Sequence, residues 1–162
     1  MTIDSRLEIG RWDEGFLIRV VGHGTLNTSP AFKEFVIQCL AHRGARVVVD
    51  LSDCEYLDST FLGCLIGMQK RCVRDPERFL IAADRAVLIR LFSISVLDDI
   101  LPLTDGCPPC LGAWMPLAPA DLATDELGRH VMESHRALAA LPCPEAPKFL
   151  AVAQRLADEL WD

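Results

Sequence analysis

Residues Ala45–Cys72 read ARVVVDLSDCEYLDSTFLGCLIGMQKRC, and the order of the parts in this stretch decides the fold. Arg46-Val47-Val48-Val49-Asp50-Leu51 is a short apolar run dense in β-branched side chains, closed by Ser52 and Asp53. A run of that length and composition reads as a buried strand. After a brief connection, Asp58-Ser59-Thr60 stands immediately before a second apolar segment. An Asp or Ser in that position signals a helix N-cap, because its side-chain oxygen accepts a backbone N–H that the helix leaves unpaired. The order is therefore strand, loop, capped helix, with Ser59 and Thr60 in the first helical turn.

The expected helix has two unlike faces. At about 100° per residue, Phe61, Leu62, Leu65, Ile66 and Met68 share one broad arc with Gln69 and Cys72. Thr60, Gly63, Cys64, Gly67, Lys70 and Arg71 occupy the other. Glycine inside a helix costs about 1 kcal/mol relative to alanine, so Gly63 and Gly67 on the Thr60 side need a reason. One is close packing against a neighbouring element of the same chain. The other is a low-relief surface on which a second protein docks. Helix spacing does not choose between them.

Outward from this stretch, Leu7–Trp12 and Phe16–Val21 read as a hairpin around Asp13-Glu14-Gly15, its first strand an edge strand with one wet face. Gly22-His23-Gly24-Thr25 reads as a loop, with His23 a solvated loop residue. Asn27-Thr28-Ser29-Pro30 opens a helix through a polar cap and an early proline. Its apolar stripe is Ala31, Phe32, Phe35, Val36 and Leu40, and Gly44 ends it. Past the central helix, Asp75-Pro76-Glu77 is a turn, Arg78–Ala83 a buried strand, and Asp84 the cap of a helix with Val87, Leu88, Leu91 and Phe92 as its stripe.

In this order the motifs resemble the STAS domain, the anti-anti-sigma-factor family. Val49-Asp50-Leu51-Ser52 followed by Tyr56-Leu57-Asp58-Ser59-Thr60-Phe61-Leu62-Gly63 is similar to the family's strand and the Asp-Ser-Ser-Gly-Leu-Gly that opens its second helix. Thr60 replaces the commoner Ser, and Phe61 replaces the motif's first Gly. Gly22, Thr28 and Pro30 match a Gly-x-x-Asp-x-x-Thr-x-Pro stretch, with Thr25 where Asp is usual. Val96–Leu103, preceded by Ile94, is similar to the loop and short strand that close the domain.

The resemblance implies an α/β STAS fold over residues 1–105, with a mixed sheet of four to five strands and helices on one face. It also implies that Thr60, beside Ser59, is the position a partner kinase phosphorylates, and that Asp58, Ser59, Thr60, Gly63, Gly67, Thr25 and Asn27 form the partner-binding surface.

Residues 106–120 carry Pro108, Pro109, Pro116 and Pro119 and read as a linker. In the remaining helical extension, 121–162, Asp121–Leu141 is helical, with Leu122, Leu127, Val131 and Leu138 at heptad-like intervals. Pro142, Pro144 and Pro147 break it. Phe149, Val152, Ala153, Leu156, Leu160 and Trp161 then form one face of a second helix. Two amphipathic helices joined by a proline-rich turn must bury those faces, on the domain, on each other, or in a homodimer or partner contact.

Composition narrows the function classes. Hydrophobic residues make up 51% and charged residues 24% of 162 residues, as in a folded domain. The net charge is −7 with no Lys/Arg-rich stripe, which argues against direct nucleic-acid binding. No apolar run is long enough to span a bilayer, and the amino terminus lacks a signal-peptide pattern. A cytoplasmic protein without membrane insertion is expected, and seven cysteines fit a reducing compartment.

Cys107-Pro108-Pro109-Cys110 has C-x-x-C spacing but lacks two further zinc ligands and the strand–helix setting of a redox pair. His130, Glu133 and His135 do not share a helical face, so no metal site is expected there. Asp50, Asp53, Glu55 and Asp58 read as caps of backbone groups rather than as acid–base or metal-binding carboxylates. With no phosphate-cradling glycine loop and no nucleophile beside a base, an enzyme is not expected and no cofactor is implied.

The resemblance points to an anti-anti-sigma regulator that binds an anti-sigma factor with serine/threonine kinase activity when Thr60 is unphosphorylated. Its rivals are a STAS subunit docking on the ATPase of an ABC-type lipid-transport complex, and a scaffold or sensor component of a stress-signalling assembly.

Overall fold

The computed structural model describes residues 5–92 and 97–161. Ile94 and Val96, at the front of the closing run, lie outside the described residues. In chain order the elements are β1 (Arg6–Trp12), β2 (Gly15–Gly24), α1 (Ser29–Leu40), β3 (Arg46–Asp50), β4 (Cys54–Leu57), α2 (Ser59–Arg71), a 3₁₀ turn (Pro76–Arg78) and β5 (Phe79–Ala82). They continue with α3 (Arg85–Leu91), α4 (Leu97–Ile100), β6 (Leu103–Thr104), β7 (Met115–Leu117), α5 (Thr124–Ala139) and α6 (Ala146–Trp161).

Among the described residues the strands form one mixed seven-stranded sheet in the order β6-β5-β3-β2-β1-β7, with β4 paired to β2 off this path. The β1–β2 and β1–β7 pairs are antiparallel, and β2–β3, β2–β4, β3–β5 and β5–β6 are parallel. The strand periodicity of two sends alternate residues to opposite faces. Ile18, Val20, Val47, Val49, Phe79 and Ile81 meet the apolar stripes of α1 and α2, including Phe32, Val36, Phe61, Leu65 and Ile66, in the main core.

Leu17, Val48 and Ala82 point the other way and are covered by Trp12, Leu80, Cys107, Cys110 and Trp114. The proline-bearing stretch after β6 thus lies flat on the back of the sheet, with the Arg19 guanidinium 3.9 Å from the Trp114 ring centroid. Arg19 is also held by Asp50, Nε to Oδ2 at 3.1 Å.

Four expectations change. β7, formed from residues read as linker, pairs with β1 through Leu7↔Leu117, Glu8↔Pro116 and Ile9↔Met115, so β1 is an inner strand. β2 runs on through Gly22-His23-Gly24, which sequence alone read as a loop. The glycines there are a bulge signal rather than a break: the register to β4 shifts between Gly22 and His23, and Gly22 takes a left-handed φ of 74°. His23 is consequently a strand residue, its ring 5.5 Å from that of Tyr56. The connection before Asp58 contains β4, too short at four residues to show a period.

Candidate functional site

The site is built on the first turn of α2. Asp58 is the N-cap of that helix, its Oδ1 accepting the Phe61 N–H at 2.8 Å. Its second oxygen accepts the Leu26 N–H, also at 2.8 Å. One carboxylate therefore fixes the helix start and ties to it the turn carrying Thr25 and Asn27. That turn closes on itself: the Thr25 N–H donates to Thr28 Oγ1 at 3.1 Å and the Asn27 N–H to Thr25 Oγ1 at 3.2 Å. Asp50 is a cap as well, its Oδ1 accepting from the Ser52 N–H and hydroxyl at 3.0 and 2.7 Å.

Ser59 and Thr60 are the first two residues of α2. Ser59 is half-buried, whereas Thr60 is only 3% exposed. α5 lies across the small-residue side of α2, its Ser134 backbone over Gly63 and its His135 beside Ser59. A Cβ placed on Gly63 would sit 2.1 Å from the Ser134 carbonyl oxygen and 2.8 Å from its Cα, so only glycine admits the α5 backbone there. Around Gly67 the corresponding space is open. Of the two helical glycines, then, Gly63 answers to close packing within the chain. A cleft of ≈ 170 Å³ remains between the helices, lined by Lys33, Gly63, Cys64, Gly67, Arg71 and Glu133 among others.

Two histidines of α5 clasp the N-termini of two helices. His130 Nε2 lies 2.7 Å from the Ser29 hydroxyl at the start of α1. His135 Nε2 lies 3.1 Å from the Ser59 hydroxyl at the start of α2. The Val131 carbonyl, 2.8 Å from His135 Nδ1, can only accept, so Nδ1 carries a proton and the ring is oriented with Nε2 towards the Ser59 hydroxyl. Lys33 and Glu133 add an ion pair at 2.7 Å.

A hydroxyl beside an imidazole can be a nucleophile and its base, but these two pairs are built as clasps. His135 is oriented by a carbonyl rather than a carboxylate, and Ser29 is fully buried. Burial also holds the His130 pKa down at about 4, against an ordinary 6.5, so it is a weak base. Burial pushes the thiols of Cys39 and Cys64 up to about 12 and those of Cys54 and Cys107 to about 11, far from thiolate reactivity.

Sequence reasoning missed the clasp. Ser29 and His130 are 101 positions apart, and nothing local links them. One signal was present: Leu127, Val131, Leu138 and Leu141 keep a heptad whose remaining place is Ser134, a small polar residue where an apolar one is expected. Such an interruption marks a close backbone approach. The second helix face also needs correction. Phe149, Ala153, Leu156 and Leu160 turn inward, whereas Val152 and Trp161 are 40% and 60% exposed.

Comparison with known proteins places this geometry in context. A family model described as "Mlab, STAS domain" matches residues 9–103. The anti-sigma-B factor antagonist of Bacillus subtilis (strain 168) is 30% identical over 87 residues, covering 54% of this chain and 79% of that protein. The anti-sigma-B factor antagonist of Staphylococcus epidermidis is 27% identical over 94 residues, 58% of this chain and 87% of its own. Among solved structures, an anti-sigma factor antagonist from Mycobacterium paratuberculosis aligns with a TM-score of 0.48 at 23% identity, over 64% of this chain and 86% of that one. The family match ends at the close of β6, before β7, α5 and α6.

Proposed function

This chain belongs to the STAS-domain family, and on that premise we propose that it is an anti-sigma factor antagonist working by partner switching in the cytoplasm. Unphosphorylated at Thr60, it binds an anti-sigma factor with serine/threonine kinase activity and frees the sigma factor; phosphorylated there, it lets go. The observation that carries the reading is the Asp58 cap, which fixes Ser59 and Thr60 in the first turn of α2 and joins the Thr25–Asn27 turn to them.

A phosphate at a helix N-terminus is favoured by the backbone dipole and the unpaired N–H groups, so its charge of nearly −2 leaves the helix itself intact. Its effect falls on whatever docks beside it, through repulsion and loss of a close fit. The chain's own net charge of −7 adds to repulsion of an acidic partner surface. No catalytic step is assigned to the chain. Among the described residues, no helix is long and apolar enough to cross a membrane.

The experiment is affinity capture from the host lysate with wild-type and Thr60→Glu protein, together with phosphosite mapping of the protein recovered from the host. Phosphate on Thr60 and at least tenfold weaker capture of a kinase by Thr60→Glu are expected. Equal capture by the two proteins refutes the switch.

The burial of Thr60 favours a second reading, a constitutive docking subunit of an ABC-type lipid-transport complex in which Thr60 is never modified. Capture of an ATPase without any phosphate on Thr60 is its signature.

A further inference from the structure

The face of α2 assigned to a partner is already occupied. Over Ser59, Gly63 and Cys64 lies α5, its backbone at Ser134 seated on Gly63, and Thr60 between them on the same side of α2 is buried. Lys33, Ser29 and Ser59 hold it by their polar groups. This seam differs from the rest of the interior. Among the described residues the buried polar side chains are Ser29, Asp50, Thr60, His130, Ser134 and His135, and all but Asp50 belong to the seam.

Hydrogen bonds of this kind can be exchanged for bonds to water or to a partner at small net cost, unlike apolar core contacts. Apolar anchoring to the main core comes from Ala137 and Leu138 at the end of α5, Leu141 and Cys143 in the turn after it and Phe149 of α6, with Ala120 of the connection beside them. α6 packs along α5, with Phe149 against His135 and Leu160 near Gly128, so the two helices form one unit. Residues 118–123, without regular secondary structure, are the connection from β7 to that unit.

We propose that the α5–α6 hairpin is a self-docked cover that occupies the partner face of α2 and lifts as a unit about residues 118–123 to expose Ser59, Thr60, Gly63 and Cys64. That this face receives a partner rests on the function proposed above; that it is reversibly covered does not. In the covered state Thr60 is out of reach of a kinase active site, and a binding partner must displace α5. The antagonist then binds through its open fraction, which a partner draws on by displacing α5.

The test uses full-length protein and the chain's own thiols. Both thiols belong to the main core and are 4% exposed, with burial raising each to about 12, but only Cys64 also lines the cleft beneath α5, so Cys39 reports general opening of the core. Native-state alkylation with iodoacetamide, followed by peptide mapping, gives the rate at each.

Glu133→Lys/His135→Ala sets two lysines against each other and removes the Ser59 clasp; Gly63→Ala pushes α5 off from the opposite side. Both variants are expected to raise Cys64 labelling at least tenfold while Cys39 stays at its wild-type rate. Unchanged Cys64 labelling, or Cys39 rising in step with it, overturns the proposal, because α5 would then be a fixed part of the core. Thr60 phosphorylation by host extract and ATP is followed in the same samples. Faster Cys64 labelling with no phosphate in any sample leaves the cover standing and refutes the Thr60 switch alone.

Discussion

Replacing Gly63 by alanine sets two known quantities against each other. In an isolated helix the change is favourable by about 1 kcal/mol. In this chain the new methyl lies 2.1 Å from the Ser134 oxygen, whereas an ordinary contact begins near 3.4 Å, so α5 must retreat by about 1.3 Å. The obstruction is backbone and cannot rotate aside. A retreat of that size stretches the Ser59–His135 and Ser29–His130 contacts, now 3.1 and 2.7 Å, past hydrogen-bonding range. Two such bonds are worth about 1–3 kcal/mol together.

Gly67→Ala supplies the internal control, for its Cβ meets nothing within 4 Å and should gain only the propensity term. Urea denaturation followed by circular dichroism should therefore find Gly67→Ala more stable than wild type and Gly63→Ala below Gly67→Ala by about 1–3 kcal/mol. Equal stabilisation by the two alanines would show that α5 is not seated on Gly63, and the description of the covered face would fall with it.

Two further outcomes can be checked in the same assay. Because burial holds the folded-state pKa of His130 near 4 while the unfolded chain titrates near 6.5, a falling pH protonates the unfolded form first. Stability should decline as pH drops from about 6.5 towards 4, with no contribution from this group above that window. The wild-type urea midpoint should fall more steeply between pH 7 and 4.5 than that of His130→Gln, and parallel curves would refute the assignment. Asp58→Ala removes acceptors from both the Phe61 and Leu26 N–H groups and should cost about 1–2 kcal/mol, and Asp58→Asn, whose single oxygen can serve only one of those N–H groups, should lose part of that. An asparagine variant as stable as wild type would refute a contribution from the second accepted bond.

What was legible in the sequence were features whose cause is local. The Val47–Val49 run is a strand because nothing but a buried sheet position suits it, and Asp58 and Asp84 cap helices because an oxygen in that place finds an unpaired N–H. Pro30 marks the first turn of α1 because its missing N–H is not needed there, whereas Thr28, at the N-cap position, turns its hydroxyl back to Thr25 and caps no helical N–H. What was not legible depends on distant partners. Met115-Pro116-Leu117 has no strand signature and pairs only because β1 offers it a free edge. Arg78 reaches the carbonyls of Leu40, His42 and Ala45, closing the end of α1 through contacts more than 30 positions apart. The small residues of α2 announced a close approach, but the approaching element was identifiable only once Ser134 was seen on Gly63.

The short β7 also governs how copies of this protein can meet. An open strand edge invites another chain to add a strand, and β1, seven residues long, would have been such a template. Instead it is sealed by three residues with proline at their centre, a strand too brief and too poor in donors to propagate pairing. At the opposite border, β6 is only two residues long. Growth of the sheet from molecule to molecule is therefore discouraged at both margins, and association is left to the helical side, where the chain can regulate it.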